Sequence, residues 1–214
     1  MIRRHFSLLV LTALFTGPSL AQSSKPATHP ATILVLGDSL SAEYGLQRGE
    51  GWVALMQTRL DQEKIPAHVV NASISGDTTS GGRSRLAALL KQHQPTLLII
   101  ELGGNDALRG LPLNMSQDNL EAMSSAAKAA GAKVLLLGMQ MPPNYGQAYA
   151  KQFAEMFSAV AKSQQAVLVP FLLKGVADVP DSLKLFQADR IHPVAAAHPT
   201  ILNNVWPAVK KLLK

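Results

Sequence analysis

Ile33-Leu34-Val35-Leu36, running straight into Gly37-Asp38-Ser39-Leu40-Ser41, is the stretch from which the fold can be read. Four apolar residues with no polar break match a strand buried on both faces, as in a parallel sheet with helices on either side. The same run recurs as Val69-Val70, Leu97-Leu98-Ile99-Ile100, Val134-Leu135-Leu136-Leu137 and Val167-Leu168-Val169. Helical patterns fill the gaps. Trp52, Val53, Leu55 and Met56 share a face with Leu60, and Leu86 does so with Leu89 and Leu90. A further helix is expected from Ser116, with Leu120, Met123 and Ala127 inward, then others over Tyr149 to Ser163 and through Ile201, Val205, Val209 and Leu212. Strand–helix alternation at this spacing predicts an α/β fold of three layers with right-handed crossovers. No repeat, low-complexity tract or linker divides the chain.

Composition narrows the chemistry. The 214 residues suit a single domain and contain no cysteine, so disulfides, thiolate nucleophiles, iron–sulfur clusters and cysteine zinc sites are excluded. Hydrophobic residues make up 47% and charged residues 16%, the balance of a chain that folds. The basic residues are scattered and aromatics are only 5%, which argues against nucleic acid as a partner. Met1 to Ala21 carries Arg3 and Arg4, an apolar run from Phe6 to Phe15 and small residues at Ser19 and Ala21. That is the layout of a signal peptide cleaved after Ala21, the alternative being an uncleaved membrane anchor. Loss of the two arginines lowers the formal charge from +6 to +4 (18 basic against 14 acidic residues). Residues 22–30 then form a polar leader and 31–214 the domain, exported to the periplasm or secreted, with no stable membrane insertion.

Chemistry in such sheets collects in loops beyond the carboxyl ends of the strands, and three of these loops are rich in Gly, Ser, Asn and Asp. Ser39 sits on a glycine-containing turn, where it can expose its hydroxyl near backbone N–H groups or simply cap a helix. Gly76 can point its N–H into a cleft or be an ordinary turn glycine. In Gly103-Gly104-Asn105-Asp106, Asn105 supplies a neutral donor or an ordinary turn amide, while Asp106 suits a loop-stabilising role. Asp189 stands three residues before His192, close enough to fix the ring's tautomer and leave Nε2 as a general base, although such a pair also occurs as a surface feature. The other histidines lack spaced acidic or histidine partners and no His-Glu-x-x-His occurs, so no metal is expected. Gly-x-Ser-x-Gly is also missing, which excludes the usual nucleophile elbow.

Taken in order, Gly37-Asp38-Ser39-Leu40, Gly76, Gly103-x-Asn105-Asp106 and Asp189-x-x-His192 resemble the blocks of the SGNH (GDSL) hydrolases. The stretches Ile33–Tyr44, Val70–Thr78, Leu86–Pro95, Glu101–Gly110 and Pro143-Asn144-Tyr145-Gly146 are similar to its periplasmic thioesterase I / lysophospholipase / arylesterase branch. The resemblance implies a flavodoxin-like five-stranded parallel sheet and a Ser39 nucleophile served by His192 and Asp189. It also implies an oxyanion hole of the Ser39 and Gly76 N–H groups with Asn105, and no cofactor. Met139, Met141 and Tyr145 would line an acyl groove or pack at its rim, the loop after Gly76 would move, and the chain would be monomeric. The substrate would be a small acyl ester or thioester, with a lysophospholipid among the candidates. Two departures from the pattern, Val194-Ala195-Ala196-Ala197 and an insertion at Leu46–Glu50 expected to lengthen the approach to the site, bear on chain-length preference. The alternatives are a carbohydrate O-acetylesterase on the same frame, or a lipid carrier without catalysis.

Overall fold

A computed structural model describes residues 30–214; the leader and the cleavage point expected after Ala21 lie outside the described residues. Five strands form one parallel sheet: β1 (Ala31–Gly37), β2 (Ala67–Asn71), β3 (Leu97–Glu101), β4 (Lys133–Leu137) and β5 (Val167–Val169), in the order β2-β1-β3-β4-β5. Helices α1 (Trp52–Gln62), α2 (Thr79–His93), α3 (Gly104–Leu108), α4 (Leu113–Ala129), α5 (Gln147–Ser163) and α6 (His198–Leu212) connect and follow them. This is the flavodoxin-like order expected from the sequence.

The unbroken apolar strands are explained by two cores, one on each face. Ile33 and Val35 of β1, with Leu97, Ile99, Leu135 and Leu137, pack against Trp52, Met56 and Leu60 of α1 and Ile201, Val205 and Trp206 of α6. Leu34 and Leu36, with Leu98, Ile100 and Leu136, pack against α2, α4 and α5 through Leu86, Leu120, Met123, Phe153 and Phe157. Full burial of each such side chain contributes about 1.5–3 kcal/mol, which is why the strand interiors are apolar on both faces of the sheet.

Helix starts differ from the sequence reading in two places. α4 begins at Leu113, behind Pro112, instead of at Ser116, and α5 begins at Gln147 instead of Tyr149. Pro112 in extended backbone starts α4 without a side-chain cap, a signal that apolar spacing does not carry. The Val194–Ala197 departure forms a short 3₁₀ turn leading into α6.

Right-handed crossovers explain the position of the site. The chain steps from β1 to β2 over α1, then returns across β1 to β3 over α2, so α1 and α2 lie on opposite faces. Strand order therefore reverses between β1 and β3, and a crevice opens beyond their carboxyl ends. Ser39 follows β1 and Asn105 follows β3.

Candidate active site

Ser39 lies on a run of turns, not at the start of a helix: α1 begins only at Trp52. The capping role is therefore absent. The turn is closed by Ser41 and Ala42 N–H groups donating to the Asp38 carbonyl, at 3.2 and 2.9 Å. This frees the Ser39 hydroxyl, which stands 2.8 Å from His192 Nε2. His192 Nδ1 is 2.7 Å from Asp189 Oδ2, while Asp189 Oδ1 accepts the backbone N–H groups of Ile191 and His192 at 3.0 Å each. One carboxylate thus folds its own turn and favours the imidazole tautomer with the proton on Nδ1, an arrangement in which Nε2 can accept a hydrogen bond from the Ser39 hydroxyl. The hydrogen bond from His192 and those two N–H groups hold the Asp189 carboxyl down, to about 2, so it stays ionised across the physiological range.

Opposite this relay lie the donors. Among the described residues, neither the Ser39 nor the Gly76 N–H has a protein acceptor. Gly76 adopts φ +79°, a left-handed backbone that turns its N–H where other residues rarely would. Arg109 Nη2 donates to the Gly76 carbonyl at 2.8 Å and anchors the peptide that follows Gly76. Asn105 Nδ2 donates to Asp38 Oδ2 and to the Asp77 carbonyl, both at 3.0 Å. For the Asn105 amide to reach an oxyanion, its bond to the Asp77 carbonyl has to be shared or released. Asp106 is fully buried and accepts from Thr79 and Ser116, the structural part expected of it.

A cavity of about 690 Å³ joins these groups, lined by Ser39, Gly76, Asn105 and His192 and extended by Met139, Met141 and Tyr145. Phe171, Leu173 and Phe186 make most of the remaining wall apolar. The Leu46–Glu50 insertion does not lengthen the approach: none of its residues lines the cavity. It is held back because Glu43 Oε1 accepts the Gly49 and Gly51 N–H groups at 3.0 and 2.9 Å, and Glu50 accepts that of Gln47. A family model described as "GDSL-like Lipase/Acylhydrolase family" matches residues 35–199.

The chain belongs to the GDSL-like lipase/acylhydrolase family.

Relatives of this GDSL hydrolase cover nearly all of the described residues. It is 54% identical over 182 residues to "Esterase TesA" of Pseudomonas aeruginosa, covering 85% of this chain and 89% of that one. It is 42% identical over 177 residues to "Thioesterase 1/protease 1/lysophospholipase L1" of Escherichia coli K12, covering 83% and 81%. The crystal structure of psychrotrophic esterase EstA from Pseudoalteromonas sp., inhibited by monoethylphosphonate, superposes with a TM-score of 0.80 at 43% identity, covering 85% and 98%. The GDSL hydrolase is accordingly a carboxylic ester hydrolase acting on small acyl substrates.

Several residues of the site escaped the sequence reading. Tyr44 packs on the His192 ring with centroids 4.3 Å apart. Gln187 donates its backbone N–H to the His192 carbonyl at 2.8 Å and its side-chain amide to the Tyr44 and Pro193 carbonyls, tying the turn after β1 to the turn that carries His192. Glu101, wholly buried at the end of β3, accepts the Ser41 hydroxyl at 2.7 Å. Burial, and then the charge of Asp38, push its carboxyl well up; Asp38 is itself pushed up to about 6 by burial. The only sequence signal for Glu101 is a carboxylate at the end of a fully apolar run. No group of three or more His, Cys, Asp or Glu side chains among the described residues could hold a metal ion.

Proposed function

We infer that this GDSL hydrolase is an exported serine esterase with thioesterase and lysophospholipase capacity, in which Ser39 attacks, His192 moves the proton and Asp189 orients His192. The observation that carries this reading is the continuous relay of 2.7 and 2.8 Å ending on a serine beside two unpaired N–H groups. In the first step Ser39 Oγ bonds to the acyl carbon while its proton passes to His192 Nε2. The carbonyl oxygen, now negative, is met by the Ser39 and Gly76 N–H groups, and by Asn105 once the Asp77 carbonyl yields its share of the amide. His192 then hands its proton to the leaving alcohol or thiol. Water repeats the sequence in reverse and frees Ser39, so no cofactor enters.

The apolar cavity beside Met141 and Tyr145 suits an acyl chain of variable length, methionine being flexible and apolar. An acetyl group bound through a sugar would call for a more polar wall, which disfavours the carbohydrate esterase. A carrier has no use for the intact relay. No helix among the described residues is long and apolar enough to cross a membrane. On this reading the protein is a monomer released to the periplasm after cleavage following Ala21, where lysophospholipids are more accessible than cytoplasmic acyl thioesters.

The deciding experiment is hydrolysis of p-nitrophenyl esters from acetyl to palmitoyl, with Ser39→Ala as control and fluorophosphonate labelling alongside. Medium- and long-chain turnover that disappears in Ser39→Ala, with one label per chain on Ser39, is expected. Acetyl-only turnover would replace this reading with the carbohydrate esterase. A folded protein that neither labels nor turns over would be a carrier.

A further inference from the structure

Beneath the nucleophile lies a pair of acids that the relay does not use. Glu101 is 1% exposed and Asp38 3%. The register pairs Gly37 with Glu101, which brings the Glu101 carboxyl under the turn that carries Ser39. Gly37 makes the space, since a Cβ there would stand 2.9 Å from Glu101 Oε2 and 2.8 Å from Ser41. Oε2 of Glu101 accepts the Ser41 hydroxyl at 2.7 Å and the Asp38 N–H at 3.3 Å. The Asp38 N–H on Oε2 thus brings the two buried acids together in the floor, where each acts on the charge of the other.

Two carboxyl groups brought together in this way can bond to each other only if one keeps a proton, because two carboxylates can only accept. Among the described residues, no lysine or arginine pairs with either group. Two ionised carboxylates at this depth would repel each other without compensation. The surroundings then decide which group keeps the proton. Asp38 faces groups that favour its anion: the Leu40 N–H at 3.0 Å on Oδ1, the Asn105 amide at 3.0 Å on Oδ2, and the His192 ring. Glu101 faces the negative charge of Asp38 and lies wholly out of water.

We propose that Glu101 remains protonated at neutral pH and donates its O–H to Asp38, making Asp38 a buried anion that orients the Asn105 amide and faces His192. Glu101 is thus a positioning residue acting through Asp38. The proton moves nowhere during turnover; it keeps the second negative charge out of the floor. When His192 accepts the serine proton and becomes cationic, the Asp38 carboxylate stands opposite it and lowers the cost of that charge. This role rests on the acyl-transfer reading above, because it is read through turnover. The titratable groups facing Asp38 are Glu101 from β3 and His192 from the turn before α6.

The test uses the full-length protein, p-nitrophenyl butyrate and four variants. A glutamine in place of Glu101 can donate from its amide to Asp38 and accept from Ser41 and the Asp38 N–H, as a protonated glutamate would. Glu101→Ala should lower kcat by at least about tenfold with KM little changed, and Glu101→Gln should recover most of the loss with an unaltered pH profile. Asp38→Asn should lower kcat about 10–10²-fold even in a Glu101→Gln background. Loss of activity in Glu101→Gln with retention in Asp38→Asn would place the proton on Asp38 and overturn the assignment. Carbon-13 NMR of the wild-type protein labelled at the glutamate carboxyls gives a second readout that needs no variant to fold. One protonated glutamate carboxyl at pH 7 is expected, and a spectrum of ionised carboxylates alone would end the proposal. If wild-type protein hydrolyses no ester, the functional reading fails, while the NMR spectrum still decides the proton.

Discussion

Asp38 and Asp189 approach the Ser39–His192 pair from opposite sides, one in the floor of the site and one on its rim, and their surroundings drive their carboxyls in opposite directions. Asp38 is buried against the ends of two strands and is pushed up to about 6 by loss of water. Asp189 is on an exposed turn and is held down to about 2 by the His192 ring and two backbone N–H groups. The floor is built from long-range contacts: Asp38 with Asn105, 67 residues away, and with Glu101, 63 away. The rim is built locally, by an acid and a histidine 3 residues apart. The acid–histidine pair therefore needs little of the fold to form, whereas its approach to Ser39, 153 residues away, and the oxyanion side both depend on it.

Substitution on the rim should break the comparison most strongly. Asp189→Asn leaves the turn able to form but removes the charge that selects the imidazole tautomer, so kcat should fall about 10⁴-fold. The KM for a short ester should barely move, as read from initial rates across substrate concentrations. The floor should be gentler: Asn105→Ala should cost about 10²–10³-fold in kcat, the usual consequence of removing one oxyanion donor. Equal losses in the two variants would mean that the division between rim and floor is wrong.

The same division explains what could be read from the sequence. Each strand announced itself as an unbroken apolar run because both sheet faces are packed, and β1, β3 and β4 then pointed to the loops that hold Ser39, Asn105 and the cavity wall. Asp189 and His192 were legible because their contact spans one turn. Glu101 was not, since its partners, Ser41 and the Asp38 N–H, reach it only through the pairing of Gly37 with Glu101. Tyr44 was missed because stacking on His192 depends on the path of an irregular turn. No helix follows Ser39 directly: the Asp38 side chain takes the Leu40 N–H within a run of turns, and α1 starts only at Trp52.

His198 sharpens the contrast with His192. From spacing it had no partner, because its contact is to backbone: Nδ1 accepts the Trp52 N–H at 3.0 Å. Gly51 offers α1 no side-chain cap, so this histidine, from the start of α6, supplies it. Replacing it should leave the chemistry largely intact but destabilise the fold by about 1–3 kcal/mol, the cost of orphaning a buried donor. Urea unfolding of His198→Ala set beside its kcat would check this; a fall in kcat matching that of Asn105→Ala would give His198 a role in the reaction instead. Burial lowers its affinity for a proton, so its contribution is present above the ordinary histidine value of 6.5 and is lost as pH falls below it.

The smallest effect expected is also the most direct reading of the two acids. Asp38 holds its proton up to about 6 in the folded protein but releases it at about 3.8 when unfolded. The fold therefore binds more protons in that window, and the contribution of Asp38 to stability is lost as pH rises through it. Asp189 has the opposite sign: its contribution is present above 3.8 and is lost as pH falls toward about 2. Each slope is bounded at about 1.4 kcal/mol per unit of pH for a single proton. In melting curves from pH 3 to 7, Asp38→Asn should gain on the wild type as pH rises from 4 to 6, through relief of a carboxylate forced into the floor. Over that range the difference between Asp189→Asn and the wild type should stay flat, narrowing only below pH 4. Parallel curves for the two variants would mean that Asp38 keeps enough water to ionise as easily as the acid on the rim, and the buried anion in the floor would lose its basis.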